Sequence, residues 1–325
     1  MNARILVTGG AGFIGSAYVR HLLSPTAPGG TAVTVLDKLT YAGSLARLHT
    51  VRDHPDLTFV QGDVCDPSLV NALAERHDHI VHFAAESHVD RSIVDGGSFV
   101  RTNVLGTQVL LDAALRHGVR TFVHVSTDEV YGSLAHGAAK ESDPLRPTSS
   151  YAASKAASDL VALAHHHTHG LDVRVTRCSN NFGPHQHPEK LIPRFLARLL
   201  SGGTVPLYGD GQYVRDWLHV DDHVRAVELV RTSGRPGEVY NIGGGTSLPN
   251  LDLTHRLLAL CGAGPERIVH VEDRKGHDRR YAVDHSKITR ELGYRPLTDF
   301  EAALADTAEW YKRHSDWWAP LLAAA

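Results

Sequence analysis

The chain has 325 residues, 42% of them hydrophobic and 21% charged, an ordinary balance for a globular protein of one large or two modest domains. Its formal net charge of −3 gives no field that would gather nucleic acid or an anionic membrane surface, so neither is an expected partner. Cys65, Cys178 and Cys261 are odd in number and far apart, which excludes a disulfide framework and a CxxC metal pattern. No apolar run is long enough for a signal-peptide core or a membrane span, so we expect a soluble, cytoplasmic protein.

The first half of the chain alternates short β-rich apolar runs with helical patterns. The runs predict strands at Ile5–Thr8, Val33–Leu36, Thr58–Val60, Ile80–Phe83, Phe122–Ser126 and Val173–Thr176. The helical patterns lie at about Phe13–Leu23, Pro67–Glu75, Phe99–His117 and Ser150–His167. Continuous apolar strands separated by helices are typical of a parallel sheet covered on both faces, so we predict an α/β, doubly wound, Rossmann-type domain over residues 1–181.

After about Asn181 glycine and proline become frequent and the elements shorten. The patterns predict helices at Leu191–Leu200, Val224–Arg231 and Leu251–Leu260, and extended segments at Val205–Leu207, Val214–His219 and Val239–Ile242. A last amphipathic helix carries Phe300, Leu304, Ala308 and Tyr311 on one face. We therefore predict a second, smaller mixed α/β domain over residues 182–325, with segments near 216–242 returning to the first domain.

Histidine is unusually frequent, at 23 residues, and the run from His165 to His169 raises the question of a metal site. The run lies at the end of a predicted helix, where three consecutive side chains point in different directions. We favour a solvated helix end and expect no metal, although the role of the run stays open.

Residues 8–16 read TGGAGFIGS, so a glycine-rich loop follows the first strand and opens the first helix. Gly9, Gly12 and Gly15 would let the backbone turn tightly and approach a pyrophosphate that the helix N-terminus stabilises. Asp37 ends the second strand about 20 residues later, where an acid binds the adenosine ribose and repels a 2′-phosphate. We therefore predict NAD rather than NADP as the cofactor, and Lys38 weakens this preference without reversing it. The alternative interpretation of the glycine-rich loop is an ordinary strand–helix turn.

Tyr151 and Lys155 are four residues apart in a predicted helix and so share one face. An ammonium group near a phenol stabilises the phenolate, so we expect Lys155 to lower the pKa of Tyr151 toward neutrality and make it a usable base. YxxxK is common by chance, but it gains weight after a dinucleotide loop in the same chain. Together the two motifs resemble the extended short-chain dehydrogenase/reductase family, whose tyrosine and lysine act with NAD on a sugar hydroxyl.

Asp128 and Glu129 follow Ser126 and Thr127 at the carboxyl end of the fifth predicted strand, where open α/β sheets bind their ligands. Mutual repulsion should raise one pKa of an adjacent carboxyl pair, which suits an acid working beside a base. Both can reach one substrate only if the strand becomes irregular here, because adjacent strand residues face opposite ways. The alternative is a strand end with solvated acids.

A close resemblance extends over nearly the whole chain. The chain resembles the dTDP-glucose 4,6-dehydratases in the stretches TGGAGFIGS, LDKLTYAG, HFAAESHVDRSI, STDEVYG, YAASKAASD, NNFGPHQHPEKLIP, YVRDWLHVDDH and DRKGHDRRYAVD. The Asp-Glu pair is the most specific, since related 4-epimerases usually lack it. Two small departures from the family pattern are present. Position 182 is phenylalanine where many relatives have tyrosine, and the segment over residues 132–149 is shorter than in several bacterial relatives.

This resemblance implies an NAD-dependent hydro-lyase that oxidises the sugar C4 hydroxyl, eliminates water across C5 and C6, and returns the hydride to C6. It implies that Tyr151 is the C4-hydroxyl base, Asp128 the acid toward C6 and Glu129 the base at C5, with Thr127 bound to the sugar and Lys155 assisting. It also implies a homodimer formed through the helices near residues 99–117 and 150–167.

Binding residues follow from the same resemblance. The cofactor contacts it implies are Gly9, Gly12, Phe13, Ile14, Gly15, Asp37, Lys38, Leu39, Thr40, Asp63, Val64, Ala84, Ala85, Thr102, Tyr151, Lys155 and Asn181. The nucleotide-sugar contacts, mainly in the second domain, are Ser87, Thr127, Asn180, Lys190, Leu191, Pro206, Tyr208, Arg215, Asn250, Arg274 and His277. From the residues alone Asp63 could equally cap the helix predicted from Pro67, Tyr208 could serve strand packing, and either arginine could be a surface residue.

Three alternatives stay open at this point. The chain could be a nucleotide-sugar 4-epimerase, a 4,6-dehydratase for another nucleotide-sugar, or a non-catalytic NAD-binding sensor, which would not need the four catalytic groups together. Thymidine preference rests on the resemblance alone, and the pathway that the product enters is open.

Overall fold

The computed structural model describes residues 3–25 and 30–323. Its strands, numbered in chain order, are β1 Ala3–Thr8, β2 Thr31–Asp37, β3 Leu57–Gln61, β4 His79–His82, β5 Thr121–Thr127, β6 Val173–Cys178, β7 Asn180–Phe182, β8 Val205–Tyr208, β9 Val214–His219, β10 Val239–Ile242, β11 Thr246–Pro249 and β12 Ile268–Val271. Its helices are α1 Phe13–Leu22, α2 Pro67–Ala74, α3 Val89–Val94, α4 Gly96–Phe99, α5 Gly106–Arg116, α6 Ser150–His169, α7 Leu191–Leu200, α8 Val220–Ser233, α9 Asn250–Leu260, α10 Ser286–Leu292, α11 Phe300–Arg313 and α12 Ser315–Ala323. Short 3-10 turns lie at Leu45–Leu48, Asp128–Tyr131 and Pro265–Arg267, and a π-helical turn at Val100–Leu105.

Seven parallel strands form the main sheet, in the order β10-β6-β5-β4-β1-β2-β3. The chain reverses its direction of winding at β1, since β2 pairs on one side of β1 and β4 on the other. A crevice outside the carboxyl ends of the strands forms at such a switch point and is where these sheets bind ligands. The predicted α/β doubly wound fold class is confirmed.

Alternate residues of the central strands enter two separate cores. Ile5 and Val7 of β1 pack into a cluster with residues of α1 and α8, whereas Leu6 packs into a cluster with residues of α2, α5 and α6. Because helices cover both faces, each strand must be apolar at successive positions. This is why the strands of the first half were readable as unbroken apolar runs.

The helix predicted over Phe99–His117 is present, with a π-helical turn at Val100–Leu105 that interrupts its regular α-helical hydrogen bonding. Asn103 lies in that turn and is buried. Its side-chain amide donates to the Glu86 carbonyl at 3.0 Å and to the Ser154 hydroxyl at 2.9 Å, and it accepts from the Glu86 N–H at 2.8 Å. These partners lie far away in sequence, so helical periodicity gave no sign of the interruption.

The remainder of the chain builds a smaller α/β part beside the main sheet. It contains a three-stranded sheet, β11-β9-β7, and a two-stranded sheet, β12-β8. Residues of α7, α9, α11 and α12 share one apolar core there, with Phe195, Leu257 and Tyr311 among its buried members. β10 pairs with β6 in the main sheet, and α8 packs on that sheet. The domain boundary near residue 181 stays a prediction.

The histidine run is more structured than expected at its first residue. His165 is buried, and its ring contacts the Val161 carbonyl at 2.9 Å and the Asp112 carboxylate at 3.2 Å. The interpretation as a solvated helix end is therefore wrong for His165, although His167 and His169 are exposed. None of the helices within residues 3–25 and 30–323 has the length and apolar character to cross a membrane.

Candidate active site

A pocket opens at the carboxyl ends of the main-sheet strands. Every predicted cofactor residue except Leu39 lines it, as do the predicted substrate and catalytic residues Ser87, Thr127, Asp128, Glu129, Tyr151, Lys155, Asn180 and Lys190. Seven predicted substrate residues lie outside its lining: Leu191, Pro206, Tyr208, Arg215, Asn250, Arg274 and His277. The structure thus brings the predicted cofactor and catalytic groups together in one cavity.

The glycine-rich loop is tightly packed and leaves the helix N-terminus uncapped. Gly9 has a φ of 72°, and a Cβ placed there would lie 2.6 Å from the Ala84 nitrogen. A Cβ on Gly15 would lie 2.2 Å from the Gly9 carbonyl oxygen. No side chain caps α1 at Gly12, so its first N–H groups face the pocket without a side-chain acceptor. These features fit a dinucleotide pyrophosphate.

Two acids, Asp37 and Asp63, line this cavity at the carboxyl ends of β2 and β3. Asp37 accepts the Ala11 N–H at 2.9 Å and the Leu39 N–H at 2.8 Å, which fixes its carboxylate at the pocket wall. Asp63 forms an ion pair with Lys38 at 2.8 Å. Asp66, rather than Asp63, caps α2 by accepting backbone N–H groups of its first turn. The capping alternative for Asp63 is therefore wrong.

Arg47 is a pocket residue that no sequence pattern indicated. It is 1% exposed and donates to the carbonyl oxygens of Ala11, Ala42 and His185. Burial lowers the pKa of Arg47 to about 10, which still leaves it charged at neutral pH. Arg47 therefore ties the glycine-rich loop to the segments that contain Ala42 and His185.

Tyr151 and Lys155 project from α6, whose N-terminus is capped by Ser149. The Lys155 ammonium donates to the Val125 carbonyl at 2.8 Å, and desolvation lowers its pKa to about 8. Burial raises the pKa of Tyr151 well above its usual value, and the Glu129 carboxylate raises it further. The expected lowering of the Tyr151 pKa toward neutrality is thus wrong in this structure, because desolvation of the phenol and the Glu129 carboxylate both raise it.

The Asp-Glu pair lies where the strand gives way to a 3-10 turn. β5 ends at Thr127, whose hydroxyl accepts the Glu129 N–H at 3.3 Å and so starts the turn Asp128–Tyr131. Desolvation and then Glu129 raise the pKa of Asp128 well above its usual value. Desolvation also raises the pKa of Glu129, against the opposing effect of three cations, Lys190, Arg274 and Arg215. The pair combines a carboxyl group whose pKa is raised by burial and by its neighbour with one whose ionised form has cationic neighbours.

Three predicted substrate-binding cations interact with the Asp-Glu turn. Arg215 is buried on β9 with its guanidinium 4.4 Å from the centre of the Tyr281 ring. Arg274 lies 3.4 Å from the Asp90 carboxylate, which joins the two parts of the chain. The Lys190 ammonium donates to the Ser87 carbonyl at 2.9 Å. All three cations are close enough to Glu129 to affect its pKa.

An aromatic cluster lies beyond these cations. The His277 ring stacks on Tyr213 at 3.7 Å and meets the edge of Tyr208 at 5.8 Å. Asp273 contacts the His277 ring at 2.7 Å. The other three predicted substrate residues lie on elements of the smaller part of the protein. Pro206 lies on β8, two residues before Tyr208, whereas Leu191 and Asn250 are the first residues of α7 and α9. Tyr213 was not predicted as a contact, although it is the first residue of the stretch YVRDWLHVDDH quoted for the family resemblance.

Further pocket residues were also missed. They are polar or small groups contributed by several loops and strands: Glu86, Ser126, Cys178, Ser179, Gln186, His187 and Glu189. Glu86 follows the predicted Ala84-Ala85 contacts, and Gln186 to Glu189 lie within a stretch quoted for the family resemblance. Position next to these motifs was the available signal.

The parallel sheet with its glycine-rich loop, and the Tyr–Lys pair beside it, define a nucleotide-sugar enzyme of the short-chain dehydrogenase/reductase type. A family model described as GDP-mannose 4,6 dehydratase matches residues 6–307, and the chain belongs to that family. The chain is 63% identical to a dTDP-glucose 4,6-dehydratase of Streptomyces antibioticus, over 98% of this chain and 95% of that one. A solved dTDP-glucose 4,6-dehydratase from Streptomyces venezuelae, with NAD bound, is 58% identical with a TM-score of 0.96, over 98% and 99% of the two chains.

Epimerases share the architecture at lower identity. A solved UDP-glucose 4-epimerase from Thermotoga maritima is 31% identical with a TM-score of 0.88, over 95% of this chain and 99% of that one. Fold alone therefore does not separate dehydration from epimerisation, and the site residues must do so.

Proposed function

We propose that this chain is an NAD-dependent hydro-lyase that converts dTDP-glucose to dTDP-4-keto-6-deoxyglucose. The buried Asp128–Glu129 pair beside Tyr151 and Lys155 is the observation that carries the proposal, because hydride transfer alone does not require it. The similarity to dTDP-glucose 4,6-dehydratases over nearly the whole chain supports the same reaction and the thymidine nucleotide. The epimerase, the dehydratase for another nucleotide-sugar and the sensor are not favoured.

The residues around the glycine-rich loop fit NAD. Gly9, Gly12 and Gly15 would admit the pyrophosphate, and the Asp37 carboxylate would accept the ribose hydroxyls and repel a 2′-phosphate. Asp63 would meet the adenine end. NAD, when bound, supplies an acceptor for the hydride of sugar C4 and later the donor of that hydride to C6.

Tyr151 would remove the proton of the C4 hydroxyl, with Thr127 hydrogen-bonded to the same sugar. Lys155, charged and buried beside Tyr151, would stabilise the phenolate that forms. Oxidation at C4 acidifies the C5 proton. Glu129 would remove that proton and Asp128 would protonate the departing C6 hydroxyl. The charges favour this division, because cations favour the ionised form of Glu129, whereas burial and the Glu129 carboxylate favour the protonated form of Asp128.

The nucleotide end would bind on the smaller part of the protein. Arg215 and Arg274 would bind the diphosphate through their paired N–H donors. Tyr208 lies in the aromatic cluster with His277 and could stack on the base. The remaining proposed substrate contacts are Ser87, Asn180, Lys190, Leu191, Pro206 and Asn250.

We also propose a homodimer formed through α5 and α6 and the turn before α5. Large apolar side chains are exposed there: Val100 is 55%, Leu105 46% and Leu160 60% exposed. Ala153 and Ala164 are exposed on the same face of α6 as Leu160. Two such pairs of helices would cover these side chains as a four-helix bundle. The free cysteines favour the reducing cytoplasm as its location, and we expect no nucleic-acid partner.

One incubation tests the reaction: purified protein with dTDP-glucose in deuterated water. We expect a 4-keto-6-deoxy product with deuterium at C5, and no steady build-up of NADH. A 4-hydroxyl epimer without deuterium would establish an epimerase instead. Turnover of another nucleotide-sugar in place of dTDP-glucose would contradict the thymidine assignment, and unchanged substrates throughout would point to the sensor.

Glu129→Gln tests the division of labour within the pair. The variant keeps Tyr151 and Lys155, so C4 oxidation should proceed while elimination slows by about 10²–10⁴-fold. NADH should then accumulate on the enzyme and be visible by its absorbance. Full activity of Glu129→Gln would remove Glu129 from the mechanism.

A further inference from the structure

Beneath the catalytic residues, α6 continues the four-residue spacing of Tyr151 and Lys155. Asp159 follows Lys155 by four residues and so lies one turn further along the same face. Asp159, Lys155 and Arg177 of β6 are 0%, 4% and 3% exposed, so three charged side chains are packed in the core. Buried ion pairs seldom add to stability, because desolvation offsets their attraction. Their placement therefore needs another reason.

Asp159 contacts its neighbours through both carboxylate oxygens. Oδ2 accepts a hydrogen bond from Arg177 Nε at 2.9 Å, and Oδ1 lies 3.3 Å from His124 Nε2. Desolvation lowers the pKa of His124 to about 4, so its ring is neutral at pH 7. Asp159 is therefore the ion-pair partner of the buried Arg177, and the buried Lys155 lies one helical turn away from it on α6.

Arg177 extends the network to the other half of the site. Its NH1 donates to the Tyr131 phenol oxygen at 2.9 Å, and the Tyr131 hydroxyl donates to Asn241 Oδ1 at 2.8 Å. Tyr131 is the last residue of the 3-10 turn that carries Asp128 and Glu129. The helix with the Tyr–Lys pair is thereby joined to the turn with the Asp-Glu pair through hydrogen-bonded side chains.

We propose that Asp159 and Arg177 are positioning residues: Asp159 holds Lys155 in its charged form, and Arg177 with Tyr131 fixes the Asp-Glu turn relative to α6. The proposal rests on the function proposed above, in which Lys155 supports C4 oxidation and the turn performs the elimination. Neither Asp159 nor Arg177 lines the pocket, so both act through other groups.

The charge of Lys155 depends on few neighbours. Desolvation lowers its pKa to about 8, and Asp159 opposes this effect. The other ionisable groups that interact with Lys155 are His82 on β4, His124 on β5 and Cys178 on β6. Desolvation lowers the pKa of both rings and raises that of the thiol, so all three are neutral at pH 7. An opposite charge at close range changes a pKa by about 1–3 units, so loss of Asp159 would discharge Lys155 near neutrality.

Asp159→Asn tests the first link in the NAD-loaded enzyme with dTDP-glucose. Because the pKa of Lys155 should fall, the alkaline limb of the kcat profile should move by about one pH unit or more toward acid. KM should change little, since Asp159 does not line the pocket. An unchanged pH profile in a folded variant would overturn this link, whatever the loss of stability.

Tyr131→Phe tests the second link and keeps the aromatic ring. It removes the oxygen that accepts from Arg177, so the turn loosens and elimination should slow about tenfold while NADH builds up on the enzyme. Tyr294→Phe is the matched control, a 1% exposed tyrosine that donates to the Gly243 carbonyl outside the pocket lining. It should keep wild-type kinetics.

The two variants also separate this proposal from the proposed function. If the wild-type enzyme fails to dehydrate dTDP-glucose, the proposed function is wrong. If the wild type is active and Tyr131→Phe behaves like Tyr294→Phe, the link between Arg177 and the turn is wrong. Should Asp159→Asn not fold because Arg177 loses its counter-charge, Tyr131→Phe, which keeps the ion pair, still decides the positioning role.

Discussion

Asp128→Asn should stabilise the fold while it suppresses dehydration. Asp128 is 3% exposed, and its Oδ1 accepts one hydrogen bond, from the Thr127 hydroxyl at 3.3 Å. Its Oδ2 has no hydrogen-bond partner among the residues the structure describes. Desolvation raises the Asp128 pKa, and the Glu129 and Asp216 carboxylates raise it further. Asparagine has nearly the same shape as aspartate, and its side chain carries no charge at any pH.

The pH dependence of the stability difference follows from the raised pKa of Asp128. A group whose pKa is higher in the folded than in the unfolded chain contributes its full stability below the unfolded pKa and loses it as pH rises through the folded pKa. At neutral pH the wild type therefore carries a penalty that Asp128→Asn lacks. One poorly compensated buried group is worth about 1–2 kcal/mol. For a chain of this size that corresponds to a rise in Tm of about 1.5–3 °C.

Calorimetry at equal NAD saturation would measure the difference between the two proteins, because bound NAD shifts Tm by itself. The advantage of Asp128→Asn should be largest near neutral pH and disappear as pH falls below about 4, where Asp128 becomes protonated in both states. Asp306→Asn, at an exposed position on α11, is the control and should leave Tm unchanged. Dehydration should fall by about 10²–10⁴-fold in Asp128→Asn. Equal Tm values at neutral pH, or a gain that does not depend on pH, would refute the reasoning.

Two further substitutions test the cofactor loop and the proposed dimer. Gly15→Ala places a Cβ 2.2 Å from the Gly9 carbonyl oxygen and should reduce the NAD retained on purification by at least about tenfold. Gly97→Ala, whose Cβ meets nothing closer than 3.5 Å, is the control and should retain NAD. Equal retention by the two variants would contradict the role of the loop. Leu160→Glu should yield monomers in sedimentation analysis, because it places a charge on the proposed bundle face. Leu297→Glu is the matched control at a 63% exposed leucine outside that face, and a Leu160→Glu dimer would exclude the face as the interface.

Local patterns were sufficient for much of the first half of the molecule. Unbroken apolar runs predicted the parallel strands, since both faces of the sheet are covered. The glycine-rich loop and Tyr151 with Lys155 were readable because each motif lies within a single loop or helix turn. Asp128 and Glu129 were likewise found from their position at a strand end. These features depend on residues close together in sequence.

Tertiary structure decided what depends on burial and on contacts between distant segments. Arg47 reaches three separate loops, and the Asp159–Arg177 pair joins α6 to β6, so neither leaves a local pattern. The pKa of Tyr151 was misjudged from spacing, because desolvation and the Glu129 carboxylate raise it. Sequence alone predicted which groups are catalytic and on which elements they lie. Only the packed structure decided the direction of their pKa shifts and the side chains that hold them in place, because both depend on residues from distant parts of the chain.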